Sequence, residues 1–334
     1  MANNKHKLTT GEKRILGKLE LDSRTPFSKI AKKIRKSQQN VSYSVSSLIE
    51  RGMINGFYTI IDYSKLDVLS FRVYFKVTYV GEERFHELIE DLKSNPHTSW
   101  VATCGGRYDL VCTFFAYTPS HFNKVLRELM EKFPHQLRDH TVLTTVVIRK
   151  FGRKYLYDGP KEFKEMVVGG DKKPVNVEQM DLKIISKLSE NARASSVKIA
   201  DVLSLTPKTI IKRMKKLYER KIIKGFKPFL DVRKIGYTPN ILLISYHNVP
   251  SKIEDEFISY LRAYPNVVNI VKTLGEWGIE IEIETKDSSE FRKIQMEIRE
   301  RFALLIKEIE SIPIYKTYRR NFFPDFIISP VSYN

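Results

Sequence analysis

The chain has 334 residues, of which 42% are hydrophobic and 11% aromatic. That apolar content can fill hydrophobic cores, so intrinsic disorder is excluded, and the length indicates two or more domains. No stretch approaches the ~18 apolar residues of a membrane span, and the polar start has no apolar signal core. Two cysteines are too few for a disulfide scaffold or a four-cysteine zinc site. We expect a soluble cytoplasmic protein.

Charge is the strongest signal in the composition. The chain carries 57 lysines and arginines against 39 acids, a net charge of +18. Such a surplus indicates a polyanionic partner, either nucleic acid or an anionic membrane surface.

The sequence repeats itself at a constant shift of 169 residues. The register holds from about residue 12 to about residue 150 without an insertion. The matched pairs include Ile15 with Ile184, Arg24 with Arg193, Glu50 with Glu219, Gly56 with Gly225 and Gly106 with Gly275. Chance similarity would not keep one register over that length, so the chain is a tandem duplication.

Each copy begins with three predicted helices and a short extended segment. The third helix follows a hydroxyl residue suited to an N-cap, Ser37 in copy one and Thr206 in copy two. Helical periodicity places its apolar side at Val41, Val45, Leu48 and Ile49 in copy one, and at Ile210, Met214, Leu217 and Tyr218 in copy two. This arrangement predicts a winged helix-turn-helix, whose third helix enters the DNA major groove.

The second part of each copy alternates strands and helices. In copy one the predicted order is strand Val68–Val80, helix Glu83–Lys93, strands Ser99–Cys104 and Leu110–Ala116, helix Ser120–Lys132 and strand Thr141–Arg149. This βαββαβ order predicts a ferredoxin-like antiparallel sheet with both helices on one face. The opposite face is also apolar, so we expect the sheets of the two copies, or of two chains, to pack together.

The fold class is therefore α+β, two copies of a winged helix-turn-helix followed by a βαββαβ domain. The predicted units are 1–65 and 66–150 for copy one, a linker at 151–176, 177–235 and 236–320 for copy two, and a C-terminal tail at 321–334. Within the linker, Glu162–Val167 is predicted to form a turn of helix.

The basic surplus lies in the helical units alone. Residues 1–65 hold 13 basic and 5 acidic residues, and residues 171–234 hold 17 and 7, so these segments account for the whole +18. A surplus that served only solubility would be spread evenly, so the helical units are the parts expected to contact the anion.

The outward faces of the two third helices differ. Their candidate DNA-contacting residues are Gln39, Asn40, Tyr43, Ser44 and Ser47 in copy one, and Lys208, Thr209, Lys212, Arg213 and Lys216 in copy two. Gln and Asn can read adenine, whereas Lys and Arg suit guanine or phosphates. A solvated helix face is the alternative interpretation, and the capped three-helix context argues against it for copy two.

These segments resemble the Lrp/AsnC family, the leucine-responsive or feast/famine transcription regulators, duplicated in tandem. Residues 181–193 look like that family's first helix and the arginine-containing turn after it, and residues 205–225 look like its recognition helix and the entry into a hairpin. The resemblance implies binding to double-stranded promoter DNA, self-association of the sheet domains as an internal pseudo-dimer or a homodimer, and no membrane partner.

The resemblance also allows for an amino-acid effector. Gly106, Tyr108 and Asp109 match the Gly-x-Tyr-Asp turn of the family's effector domain. In copy two Gly278 replaces the aspartate, so that copy lacks the carboxylate that could pair with an α-amino group of an effector. A plain hairpin with a solvated carboxylate is the alternative reading of the copy-one turn.

Two other functions stay open. Siroheme decarboxylases share the two-domain plan and use histidine and arginine in a tetrapyrrole cleft, but none of the seven histidines here recurs at the 169 shift, and His97 lacks the Tyr-x-Arg expected beside it. We therefore expect no catalytic residue, cofactor or metal. A DNA-organising protein with little sequence selectivity would use the same basic residues.

Overall fold

The structure is a computed structural model that describes residues 8–157, 163, 165–248 and 250–328. The α+β class and the two-copy architecture are confirmed. Copy one contains α1 Thr10–Leu21, α2 Phe27–Ile34, α3 Gln38–Glu50, β1 Ile54–Ile61, β2 Leu69–Val77, α4 Glu82–Ser94, β3 Thr98–Cys104, β4 Leu110–Ala116, α5 Pro119–Lys132 and β5 Leu137–Lys150. Copy two, preceded by strand β6 Met166–Gly169, contains α6 Gln179–Glu190, α7 Ser196–Leu203, α8 Pro207–Glu219, β7 Ile223–Leu230, β8 Thr238–Tyr246, α9 Ser251–Ala263, β9 Val267–Leu274, β10 Ile279–Thr285, α10 Ser288–Arg301 and β11 Ile306–Arg320. None of the helices in the described ranges is long and apolar enough to cross a membrane.

The two sheet domains join edge to edge into one closed barrel. Strand β3 pairs with β11 and β5 pairs with β9, while β2 pairs with both β4 and β5. The resulting order is β2-β4-β3-β11-β8-β10-β9-β5, and it returns to β2. Closure within one chain removes the exposed strand edges and covers the apolar faces that lack helices. Helices α4 and α5 pack on the outside of copy one, as the core there shows.

The inside of the barrel is apolar at one level and charged at another. Tyr74, Trp277 and Leu243 belong to the apolar cluster. The isoleucines of β10 pack under the helices of copy two, so the alternating Glu280, Glu282 and Glu284 point inward. Buried carboxylates need cationic partners, and a different arginine pairs with each of these three. The ion pairs are Arg72 with Glu280 at 2.8 Å, Arg320 with Glu282 at 3.4 Å and Arg153 with Glu284 at 2.9 Å.

The segment between the copies is partly a strand. Met166 and Val167, assigned above to a helical turn, lie in β6, which pairs antiparallel with the end of β5. The prediction was wrong at these two residues because β-branched Val167 and Val168 fit a strand and the edge of β5 offers it a partner. Residues 162 and 164 of that prediction lie outside the described residues.

Candidate nucleic-acid interface

Helix α3 presents an uncharged polar face. The Ser37 hydroxyl accepts a hydrogen bond from the backbone N–H of Asn40, which fixes the start of the helix. Gln39, Asn40 and Tyr43 are exposed, Tyr43 to 76%, and Ser44 and Ser47 are half-buried. Ile49, placed above on the apolar side, is 46% exposed, because it lies at the margin of the face that Val41, Val45 and Leu48 bury.

Helix α8 presents a cationic face. Thr206 caps it by accepting from the backbone N–H of Thr209, and the two hydroxyls lie 2.9 Å apart, so Thr209 contributes to the cap. Three of the candidate residues on this helix are exposed lysines, namely Lys208, Lys212 and Lys216. Tyr218, also placed above on the apolar side, is 46% exposed, so Ile210 and Leu217 are the residues that anchor the helix.

Arg213 differs from the neighbouring lysines of α8. Its Nη1 lies 2.8 Å from Asp181 Oδ1 and 2.9 Å from Glu178 Oε2, both near the start of α6. Asp181 is buried, and a buried carboxylate that lost its cation would be costly. The structure therefore makes Arg213 the residue that holds α8 against α6. Lys216 Nζ also lies 3.9 Å from Glu178 Oε1, so Lys208 and Lys212 are the lysines of the predicted set that have no ion pair in the described part of the chain.

In copy one exposed lysines lie on and just after α2. Lys29, Lys32, Lys33 and Lys36 at or just after this helix are exposed. In a helix-turn-helix the helix before the recognition helix crosses the DNA backbone. These lysines are not among the residues predicted from the sequence to contact DNA, although the charge count of residues 1–65 includes them.

A two-stranded ribbon ties the two helix-turn-helix units together. Strand β1 pairs antiparallel with β7, and the register centres on Tyr58 opposite Lys227, positions related by the 169 shift. The sequence predicted that the extended segment of each copy forms the wing of its own helix-turn-helix unit. In the structure β1 and β7 pair with each other instead. The reason is that both strands present an unpaired edge at the same pseudo-twofold axis. The ribbon fixes the position of α3 relative to α8.

The candidate effector turn is part of the barrel. Gly106 adopts a φ of +86°, Tyr108 is buried with its hydroxyl 3.0 Å from that of Thr141, and exposed Asp109 accepts from the backbone N–H of Val77 at 2.9 Å. Tyr108 and Asp109 thus leave the turn in different directions. Arg107 pairs with Glu276 of the matching turn in copy two, so the two turns face each other.

Comparison with known proteins assigns the family. Residues 178–218 match the model of the AsnC-type helix-turn-helix domain. The HTH-type transcriptional regulator FL11 of Pyrococcus horikoshii is 31% identical over 116 residues, which are 35% of this chain and 76% of that protein. The regulatory protein AsnC of Haemophilus influenzae is 29% identical over 123 residues, 36% of this chain and 79% of that protein.

The whole chain resembles a solved structure of an enzyme. The siroheme decarboxylase NirDL covers 95% of this chain and 96% of its own, with a TM-score of 0.61 and 15% identity. At that identity the likeness shows a shared fold with two fused copies. Sequence similarity to the regulators is higher and covers three quarters or more of each of them. The chain belongs to the Lrp/AsnC family of HTH-type transcriptional regulators.

Proposed function

We propose that the protein is a regulator that binds double-stranded DNA with two non-equivalent helix-turn-helix units held as a pseudo-dimer within one chain. The observation that carries this proposal is the pair of recognition helices, α3 and α8, presented by one β1–β7 ribbon. An ordinary dimer presents identical helices and is tied to palindromic sites. A fused pair is free of that constraint.

The exposed side chains support different contributions from the two units. Lys208, Lys212 and Lys216 on α8 suit phosphates, whereas Gln39 and Asn40 on α3 suit base edges, adenine in particular. Phosphate contacts of copy one would then come from Lys32 and Lys33 on α2. The DNA site that fits this protein has one tolerant half and one selective half.

A second candidate function is that of an enzyme, because the whole chain resembles a siroheme decarboxylase. That similarity is one of fold. His97 is the residue that sequence analysis placed nearest to a decarboxylase cleft. Its ring is 1% exposed and stacks on Phe326 at 4.3 Å, and its Nδ1 lies 2.9 Å from the carbonyl of Phe115. This environment is that of a packing residue, so we propose that the protein is not an enzyme.

Binding of the full chain to duplex DNA as a function of salt tests the proposal. Each phosphate contact lowers the slope of log K against log salt by about 0.9, so several contacts should give a steep dependence. A nearly flat slope between low and physiological salt would rule out the electrostatic interface. Co-purification of a visible-absorbing tetrapyrrole in stoichiometric amount would favour the decarboxylase instead.

Selectivity separates a regulator from a DNA-organising protein. A footprint on the promoter of its own gene, made with and without an amino-acid mixture and in the presence of competitor DNA, measures it. A discrete protected site that survives competitor supports the regulator, and uniform protection that competitor removes supports the organising protein. A change in protection caused by the mixture would indicate an amino-acid effector.

A further inference from the structure

The charged level of the barrel encloses a cavity of about 40 Å³. It lies at the end of the barrel beneath the β1–β7 ribbon, because Trp100, Glu282 and Arg320 also line a neighbouring cavity whose wall includes Tyr58 at the centre of the ribbon. About 10–15 Å³ of such volume accommodates one water, so the space corresponds to roughly three waters or one small organic molecule.

The cavity sits on the pseudo-twofold axis that relates the two copies. Trp100 and Asn269 are equivalent at the 169 shift, and so are Thr113 and Glu282, and all four line the cavity. In a dimer of identical chains the two residues of each pair would be the same. Here each pair has diverged in chemistry, which gives a cavity on the axis two unlike walls.

Several buried polar atoms of the lining have no hydrogen-bond partner among the described residues. They include Trp100 Nε1, Thr113 Oγ1 and Asn269 Oδ1. Trp100, Thr113 and Asn269 are 7%, 5% and 8% exposed, so bulk water does not satisfy these three atoms. Buried polar groups are normally bonded, and three such groups around one cavity indicate that the cavity has a polar occupant.

The lining also contains a cation, Lys150, that no ion pair holds among the described residues. Arg72 is paired with Glu280 and Arg320 with Glu282, whereas the Lys150 ammonium makes no ion pair or hydrogen bond within the described part of the chain. Its nearest described aromatic contact is the Phe322 ring, with Nζ 5.1 Å from the centroid. Burial lowers the pKa of Lys150 to about 7, an effect that Arg320, Arg153 and Lys227 increase and Glu282 opposes.

Apolar side chains complete the wall. Phe115 and Ile148 line the same cavity and are buried. The space therefore combines one unpaired cation and several unpartnered polar atoms with an apolar surface. A molecule with a single negative charge and a short carbon chain matches all three features, and a neutral molecule would leave Lys150 uncompensated.

We propose that this cavity binds a small organic monocarboxylate, with its carboxylate at Lys150 and its carbon chain against Phe115 and Ile148. The Trp100 indole N–H is available to donate to the ligand, and Thr113 and Asn269 are available to a hydroxyl on it. Binding places a ligand under the ribbon that carries both helix-turn-helix units. The site does not depend on the proposal that the chain binds DNA.

Calorimetric titration of the full chain with propionate, and with propionamide as the neutral match, tests the site. We expect saturable one-to-one binding of propionate and no measurable binding of propionamide. Because the carboxylate stabilises the ammonium form of a lysine whose pKa is about 7, propionate should be bound with proton uptake near neutral pH. Buffers of different ionisation enthalpy measure that uptake. Lactate, which adds a hydroxyl, should bind more tightly than propionate.

Two variants link binding to the cavity. Lys150→Met should weaken propionate binding by about tenfold or more, the scale of a lost charge pair, whereas Lys76→Met on the exposed side of β2 should not. If Lys150→Met fails to fold, Trp277→Phe leaves Trp100 as the single tryptophan, and its fluorescence should change on propionate addition. Equal binding of propionate and propionamide, unchanged binding by folded Lys150→Met, or no saturation at up to about 50 mM would show that the cavity holds water only.

Discussion

Arg24 and Arg193 occupy equivalent positions in the two copies and bind each other's turn. Arg24 Nη1 donates to the carbonyls of Ala192 and Ala194, at 2.5 and 2.9 Å. Arg193 Nη1 donates in return to the carbonyls of Ser23 and Thr25. Burial lowers the pKa of both guanidinium groups, and each occupies a turn that immediately follows the first helix of its unit. The exchange locks the two helix-turn-helix units into one body.

Removing one arm of this exchange should destabilise the protein. In Arg193→Ala the carbonyls of Ser23 and Thr25 lose a charged donor, and the Phe27 ring loses the guanidinium 4.2 Å above it. We expect the free energy of unfolding to fall by roughly 1–3 kcal/mol, the cost of leaving buried polar groups unpaired. Denaturant melts measure this change.

Lys198→Ala is the matched control, because it removes one positive charge from the exposed face of α7 nearby. It should change the free energy of unfolding by less than about 0.5 kcal/mol. Arg24→Ala should behave like Arg193→Ala. If Arg193→Ala were no more destabilising than the control, the exchange would contribute nothing to the pairing of the units.

The two glycines of α1 should respond in opposite ways to alanine. A Cβ at Gly17 would lie 2.5 Å from the backbone carbonyl oxygen of Leu156, whereas a Cβ at Gly11 would meet nothing closer than 4.0 Å. Gly17→Ala should therefore cost roughly 1–3 kcal/mol through overpacking, and Gly11→Ala should gain up to about 1 kcal/mol. Thermal melts of the two variants make the comparison, and a stabilising Gly17→Ala would contradict the close packing of the 153–157 segment on α1.

The sequence predicted the architecture well because the duplication repeats every periodic pattern twice, and the capped helices mark their own starts. It could not predict the interior of the barrel. Residues 279–284 alternate isoleucine and glutamate, a pattern that normally indicates one buried and one solvated face. The glutamates become internal only because the sheets of both copies close on each other, and their partners Arg72, Arg153 and Arg320 come from distant segments.

Buried His97 should make the stability of the protein depend on pH. Burial lowers its pKa from 6.5 to about 4. Above pH 6.5 the residue is neutral in the folded and unfolded states and has no effect. Below it the unfolded chain binds a proton that the folded chain cannot, so stability should fall from about pH 6.5 down to about pH 4.

Asn266 is the copy-two equivalent of His97, and asparagine is therefore the substitution that tests this pH dependence. Asn266 donates to the carbonyl of Glu284 at 2.9 Å, as His97 does to that of Phe115 at the same distance. His97→Asn should keep this hydrogen bond and flatten the decline in stability over that pH interval in urea melts. A decline as steep as in the parent protein would assign the pH dependence to other groups.

Arg213 and Lys212 are adjacent on α8 and should separate stability from DNA binding. Arg213→Ala leaves Asp181 without its cation, so the free energy of unfolding should fall by roughly 1–3 kcal/mol. Lys212→Ala removes an exposed charge and should leave stability unchanged while it makes the slope of log K against log salt less negative by about 0.9. If Arg213→Ala changed the salt slope and left stability unchanged, Arg213 would leave Asp181 and contact a phosphate in the DNA complex.

The two recognition helices should contribute differently to DNA binding. Lys208→Ala combined with Lys212→Ala removes two exposed cations of α8, so affinity should fall on all sequences and the slope of log K against log salt should become less negative by about 2. Gln39→Ala combined with Asn40→Ala removes uncharged side chains of α3, so the slope should stay constant. Preference at one half-site should then relax by roughly 1–3 kcal/mol per lost bidentate contact. Binding isotherms on sites with either half randomised, at several salt concentrations, measure both quantities. Equal effects of the two double variants on slope and on selectivity would show that the copies act equivalently, and the fused chain would then read DNA as a symmetric dimer does.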